Sequence, residues 1–268
     1  MYYGININVI RIFLSHDVDY PIHGPGLKHI LDRRNRFDES IIEKVLREGY
    51  NPYYNIPEIM DIEIGLDVRS TFFFRAYYDD STAVDQYREV IRELVRNGWE
   101  IGLHINQAYN LDAVYVEKKI LEWVAGLNVI GCRVHMLDIS IDKIGYLSKL
   151  GFKYDSSVVY SRNRLDIRNT GFYKINSLIE FPITIMDSYL FTYMGLNESN
   201  LMKFIINWVS WLRKNSIKIA TLLWHNCSLK MKGGRMYRDI IEYLTSQDDI
   251  KLVRGIDLYN EVISIGGI

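Results

Sequence analysis

Short apolar runs alternate with amphipathic helical stretches along most of this chain, and that rhythm limits the folds open to it. Runs rich in branched and aromatic residues occur at 9–14, 70–74, 100–103, 131–134, 152–156, 178–181, 217–224 and 250–253. Between many of them, apolar residues recur every three to four positions. Val84, Tyr87, Ile91, Leu94 and Val95 share one helical face, and Asn97-Gly98 follows as a stop. Asp112 is placed to cap a helix burying Val116, Ile120 and Val124. Ser140 is placed to cap one with Ile141, Ile144 and Leu147 inward and Gly151 at its end. Two further stripes run through Leu201, Ile205, Trp208 and Leu212, and through Tyr237, Ile240, Ile241 and Leu244. Strand and helix in steady alternation predict an α/β fold with a largely parallel sheet and helices outside it. Seven or eight strands favour a barrel over an open sheet. The chain, 1–268, is read as one domain, which its length suits. Residues 20–68 break the rhythm with Pro21, Gly24, Pro25, Gly26, Pro52 and Pro57, and are read as an insertion forming one wall of a cleft.

Composition narrows the function classes. Hydrophobic residues make up 48% of the chain, enough for a sizeable core, and the net charge of −1 gives no overall pull toward nucleic acid or an anionic membrane. No apolar stretch approaches a membrane span, and residues 1–8 lack the pattern of a leader, so the expected location is the cytoplasm. Cys132 and Cys227 match no zinc spacing and are expected as buried free thiols.

In parallel barrels the chemistry sits at the carboxyl ends of the strands, and there the unusual polar residues cluster. The first strand ends in Ser15-His16-Asp17-Val18-Asp19; alternation puts Asp17 and Asp19 on one face. Two adjacent carboxylates repel unless a cation or a proton lies between them; the competing reading is a pair of turn caps. His104 ends the third strand, Arg133 and His135 share a face at the end of the fourth, and Trp224-His225 ends the strand near 220. A histidine can exchange a proton near neutral pH. Any one of these is weak evidence, since a lone histidine is more often structural than a ligand; four strand ends together make a constellation.

With these residues in place, the chain resembles the polysaccharide deacetylase family (the NodB homology domain, family-four carbohydrate esterases). The resemblance runs from about residue 10 to about residue 245. It rests on His16-Asp17-Val18-Asp19, Ser70-Thr71-Phe72-Phe73-Phe74, Glu100-Ile101-Gly102-Leu103-His104, Gly131-Cys132-Arg133 and Leu222-Leu223-Trp224-His225. The runs Gly151-Phe152-Lys153-Tyr154-Asp155-Ser156-Ser157 and Glu180-Phe181-Pro182-Ile183-Thr184-Ile185-Met186-Asp187 resemble a subgroup associated with polysaccharide biosynthesis. The resemblance implies a distorted (β/α) barrel and hydrolysis of an N-acetyl group on an amino sugar, assisted by a divalent metal, with zinc the expected ion. By position, Asp17 would be the general base, Arg133 its orienting partner and His225 the general acid. Asp19 and His104 would be metal ligands, and Arg168 and Trp224 would lie near the substrate.

The chain departs from the family pattern at two points. The second motif usually has another histidine four residues after the first; here that residue is Ala108. The third motif usually has proline where this chain has His135. Catalytic zinc sites commonly use three protein ligands and an open position, so Asp19, His104 and His135 are expected to form the set, with Asn106 or Gln107 as weaker substitutes. Two rival functions share the same residues: an amidohydrolase acting on another C–N bond in a small amide, and an inactive homologue that binds carbohydrate.

Overall fold

The computed structural model describes residues 9–264. Residues 1–8 and 265–268, which the leader and single-domain readings include, lie outside the described residues. Ten strands form one curled sheet. They are β1 (Ile10–Val18), β2 (Thr71–Phe74), β3 (Glu100–Ile105), β4 (Gly131–Val134), β5 (Tyr154–Asp155), β6 (Tyr173–Ile175), β7 (Leu178–Glu180), β8 (Ile185–Met186), β9 (Ile219–Leu223) and β10 (Ile250–Val253). The order is β6-β7-β5-β4-β3-β2-β1-β9-β8, with β10 beside β1. Every pairing is parallel except the β6–β7 hairpin, whose turn uses Asn176 at φ 58°. The count exceeds seven or eight because β6 and β8, of three and two residues, are too short to leave a periodic signature. The ladder path ends at β6 and β8, which gives a distorted barrel. Thr184 bridges the seam: its hydroxyl lies 2.6 Å from the Asn169 carbonyl oxygen and 2.9 Å from the Thr221 amide.

β1 is the axis of the arrangement. Its first half pairs with β10 through Ile10–Phe13, its second with β2 through Ser15–Val18, and its other edge with β9. Alternation sends Ile12, Leu14 and Val18 outward to the helices, into the main apolar cluster. Phe13, Ser15 and Asp17 point into the barrel, whose interior is filled in layers. Glu100 lies lowest, accepting from Thr71 Oγ1 at 2.7 Å and Tyr154 Oη at 2.8 Å. Phe13, Phe73, Tyr154 and Phe181 pack above it edge to face or tilted. Gly102 lies beside Phe73, where a Cβ would come within 2.4 Å of the ring. Arg133 lies above Phe73, its guanidinium carbon 4.4 Å from the ring centre.

The helices cover the outside. α1 (Leu27–Asp32), α2 (Glu39–Glu48) and α3 (Ile56–Gly65) belong to the 20–68 insertion. α4 (Arg88–Arg96) buries Ile91 and Leu94 as the stripe requires. α5 (Leu111–Ala125) differs from expectation: Asn110 is the cap, accepting from the Ala113 amide at 3.1 Å, and Asp112 falls in the first turn. Val116 is exposed, because the buried face runs through Val114, Leu121 and Val124. Glu117 and Lys118 can join that face because Glu117 accepts from the Asn106 amide and Lys118 pairs with Glu122. α6 (Ile141–Ile144) follows Ser140, whose side chain makes no cap bond, and leaves Ile141 exposed. α7 (Asp187–Thr192), α8 (Glu198–Lys214), α9 (Tyr237–Thr245) and α10 (Gly255–Ser264) complete the set. Among the described residues no helix is long and apolar enough to cross a membrane. Cys132 and Cys227 are buried and unbridged.

Candidate active site

The top layer of the barrel gathers Asp17 and Asp19 from β1 and the residue after it, His104 from β3, Arg133 and His135 from β4 and its end, and His225 from just beyond β9. Arg133 is fully buried and spends its donors on the layer below the opening. Nη1 donates to Asp17 Oδ1 at 2.7 Å, Nη2 to Ser15 Oγ and Ser156 Oγ at 3.0 and 2.9 Å, and Nε to the Ser156 carbonyl at 2.8 Å. Burial works against the Asp17 charge, but Arg133, His104 and His225 outweigh it and hold the carboxyl below the usual range. Asp17 is therefore an ionised base at any ordinary pH, fixed in direction by Arg133.

Asp19, His104 and His135 converge on one point. His104 Nδ1 lies 3.1 Å from the Arg133 carbonyl oxygen, which can only accept. The proton of a neutral His104 ring thus sits on Nδ1, and Nε2 offers its lone pair to the opening. That Nε2 is 3.3 Å from Asp19 Oδ1 and 3.2 Å from His135 Nδ1, and His135 Nδ1 is 3.5 Å from the same oxygen. Ligands held about 2.0–2.2 Å from a tetrahedral ion stand roughly 3.3–3.6 Å apart, so the triangle has the edge lengths of such a site. Asp19 Oδ1 is buried and has no hydrogen-bond partner among the described residues. A small, hard-to-borderline divalent cation therefore fits these three atoms. Asn106 does not compete for it: its side chain accepts from Arg75 Nε at 2.7 Å and donates to the Tyr77 carbonyl at 3.0 Å. Ala108 is packed in the main apolar cluster.

His225 faces this triangle from the opposite side, with Nε2 3.7 Å from Asp19 Oδ2. Its Nδ1 lies 2.6 Å from Asp187 Oδ1, a residue at the start of α7 that the sequence reading did not assign to the site. Asp187 Oδ2 accepts from the His225 amide at 3.0 Å and Ser228 Oγ at 2.5 Å. Burial opposes charge on His225, but the Asp187 carboxylate and its hydrogen bond, with Asp19 and Asp17 beyond, push the imidazole up to about 10.

Two residues expected at the substrate lie elsewhere. Trp224 is fully buried on the outer face of the sheet, with Nε1 donating to the Gly234 carbonyl at 3.1 Å and Phe191 and Tyr237 against its ring. Arg168 is exposed, bound to Asp166 through Nη2 at 2.7 Å and set over the Tyr160 ring. Arg162 lines a cavity of about 330 Å³ with Asp17, His104, His135, Tyr189 and His225. A second cavity, about 360 Å³, is lined by His225 and Asp19 together with Tyr20, Tyr53, Phe191, Arg36 and Lys232. Tyr20, Arg36 and Tyr53, from the 20–68 segment, are among the residues that line it.

No family model matches the sequence, and no curated protein matches it. Solved structures do match by fold. A chain from Mycobacterium smegmatis assigned to the polysaccharide deacetylases is 19% identical, with 96% of this chain and 91% of that chain covered at a TM-score of 0.68. Another so assigned, from Pseudomonas aeruginosa PAO1, is 15% identical, with 96% and 92% covered at 0.69. PuuE allantoinase is 16% identical, with 96% and 91% covered at 0.67. The chain has the fold of the polysaccharide deacetylases.

Proposed function

From that fold and the six converging residues, we propose that this chain is a divalent-metal-dependent hydrolase that removes an N-acetyl group from an amino sugar or polysaccharide precursor. The observation that carries the reading is the meeting, at one barrel mouth, of a directed carboxylate (Asp17), an acceptor triangle (Asp19, His104, His135) and an imidazole held in its protonated form by a carboxylate (His225). Zinc or a similar ion held by the triangle would polarise the acyl carbonyl and acidify water beside it. Asp17 takes the proton of the attacking water, and Arg133 keeps its free oxygen aimed into the opening. His225 then gives its Nε2 proton to the departing nitrogen, which cannot leave as an amide anion. Asp187 fixes the other ring nitrogen and so favours the protonated form. The apolar and aromatic walls beyond His225, Tyr20, Tyr53 and Phe191, suit the face of a sugar ring.

Two complete partner pairs, Arg133 with Asp17 and Asp187 with His225, favour an enzyme over a binding homologue, which has no need of a directed base or a charged acid. A second reading keeps the same groups and changes the substrate: hydrolysis of another amide C–N bond, favoured by the equal likeness to PuuE allantoinase. The deciding experiment is acetate release from a panel of N-acetylated amino sugars by zinc-loaded protein. Acetate that disappears with chelator and in Asp17→Asn supports the deacetylase; no acetate across the panel, with amide hydrolysis elsewhere, supports the second reading.

A further inference from the structure

We propose that the amine half of the substrate is anionic, bearing a phosphate or a carboxylate, and that Arg36 and Lys232 receive that group. The orientation rests on the hydrolase reading: His225 protonates the departing amine, so the amine half lies on its side of the cleft. One cavity is lined by His225 and Asp19 but by none of Asp17, His104 and His135; the other is lined by all five, so the first lies on the side of His225 away from the base and the two histidine ligands. Its volume of about 360 Å³ suits a sugar-sized group. Arg36 and Lys232 line the same cavity.

The two cations come from distant parts of the chain and are fastened together. Arg36 ends the turn Arg34–Arg36 of the insertion, and Lys232 lies in the loop after β9. The Lys232 amide donates to the Arg36 carbonyl at 2.7 Å, and Lys232 Nζ donates to the Asn35 carbonyl at 3.3 Å. The chain segments that carry the two cations are thereby fixed to each other, and an anion held by both residues would be favoured by both charges. The acids nearby are already engaged. Arg235 pairs with both Asp38 and Glu198, the Gly233 amide also donates to Glu198, and Glu58 pairs with Lys230. Among the described residues, neither Arg36 nor Lys232 has a carboxylate within 4.0 Å. Both side chains are exposed and open toward the cavity they line. Lys232 acts at longer range on Glu198, which Arg235 and the Gly233 amide already hold, and a phosphate or carboxylate gains charge-assisted hydrogen bonds from Arg36 and Lys232 that a neutral sugar cannot.

Calorimetric titration with glucosamine, glucosamine 1-phosphate and glucosaminuronic acid tests this without any turnover, since these are amine halves alone. At least one anionic sugar should bind about tenfold or more tightly than glucosamine; whichever of the two leads identifies the group as phosphate or carboxylate. The preference should shrink with added salt, vanish in the Arg36→Gln/Lys232→Gln double variant and survive in Arg36→Lys, which keeps the charge. No preference among the three sugars, or a preference that persists in the double variant, overturns the proposal. Acetate release by the enzyme with equal binding of all three sugars would overturn this inference alone. An Arg36- and Lys232-dependent preference without acetate release would sustain it and count against the deacetylase.

Discussion

His225 Nδ1 lies 2.6 Å from Asp187 Oδ1, and the second oxygen of Asp187 is bound to the His225 amide and Ser228 Oγ. The Ser188 amide also donates to Oδ1 at 2.7 Å, so three donors hold the carboxylate before it touches the ring. The ring is held through Nδ1, with Nε2 toward Asp19, and in the proposed role of acid this gives its proton a fixed direction. Asp187→Asn is expected to preserve the fold and lower kcat roughly 10²-fold or more, with a smaller effect on KM. Metal content should stay near wild type, because Asp187 touches none of the three ligand atoms' lone pairs. A variant with unchanged kcat would show that Asp187 is only a fold element.

The same pair sets a pH limb. A group raised to about 10 is protonated below that value and loses its proton as pH rises through it, so activity should fall on the alkaline side. A bound cation offsets the contributions of Asp19 and Asp17, which brings the wild-type limb below about 10. Removing the Asp187 charge takes away a further cause of the rise. The kcat profile of Asp187→Asn should therefore break at lower pH than wild type; a break at the same or higher pH contradicts this assignment of the acid.

Arg133 is buried with four hydrogen bonds, and Asp17 is its only carboxylate partner within salt-bridge distance among the described residues. Arg133→Met should cost about 3–5 kcal/mol of stability, because it strands a buried carboxylate. Asp17 has a lowered pKa, so the stabilisation is fully present above the ordinary value of 3.8 and is lost as pH falls through the folded value. Denaturant unfolding of wild type and Arg133→Met should therefore converge in strongly acid solution. Equal stability at neutral pH would mean the pair is not structural.

Period-two alternation groups most of the residues that meet at this mouth. Asp17 and Asp19, and Arg133 and His135, were placed on common faces by spacing alone, and their strands carry them to one mouth. The same rule argues against Trp224: it alternates with Leu223 and His225, so it points to the helices while His225 points to the cleft. Asp187 was missed for a physical reason. It follows a strand of two residues, too short for alternation to be read, and its partner is 38 positions away. Arg168 carries the right charge, but Asp166, two residues before it, captures the side chain at the surface, a local bond that residue type alone does not reveal. The shift of the buried face in α5 has a similar cause, since Glu117 and Lys118 are buried only because distant groups satisfy them.

Gly102 connects packing to chemistry. A methyl group there would press on Phe73, and Phe73 supports the Arg133 guanidinium. Gly102→Ala should lower stability by about 1–3 kcal/mol and reduce activity by displacing Arg133 from Asp17. Phe73→Leu in the same chain should restore part of the Tm, as neighbours in contact are not additive. Fully additive losses in the double variant would rule out the proposed contact.

His135 is proposed to complete a three-ligand cation site in a chain whose residue 108 is alanine. Metal analysis of purified protein after equilibration with zinc and removal of free ion tests it most directly. Wild type is expected to retain one ion per chain, and His135→Ala, Asp19→Ala and His104→Ala each to lose it while remaining folded by circular dichroism. Wild-type protein that retains no ion under any divalent supply, or a His135→Ala variant that holds its ion as tightly as wild type, would contradict the account.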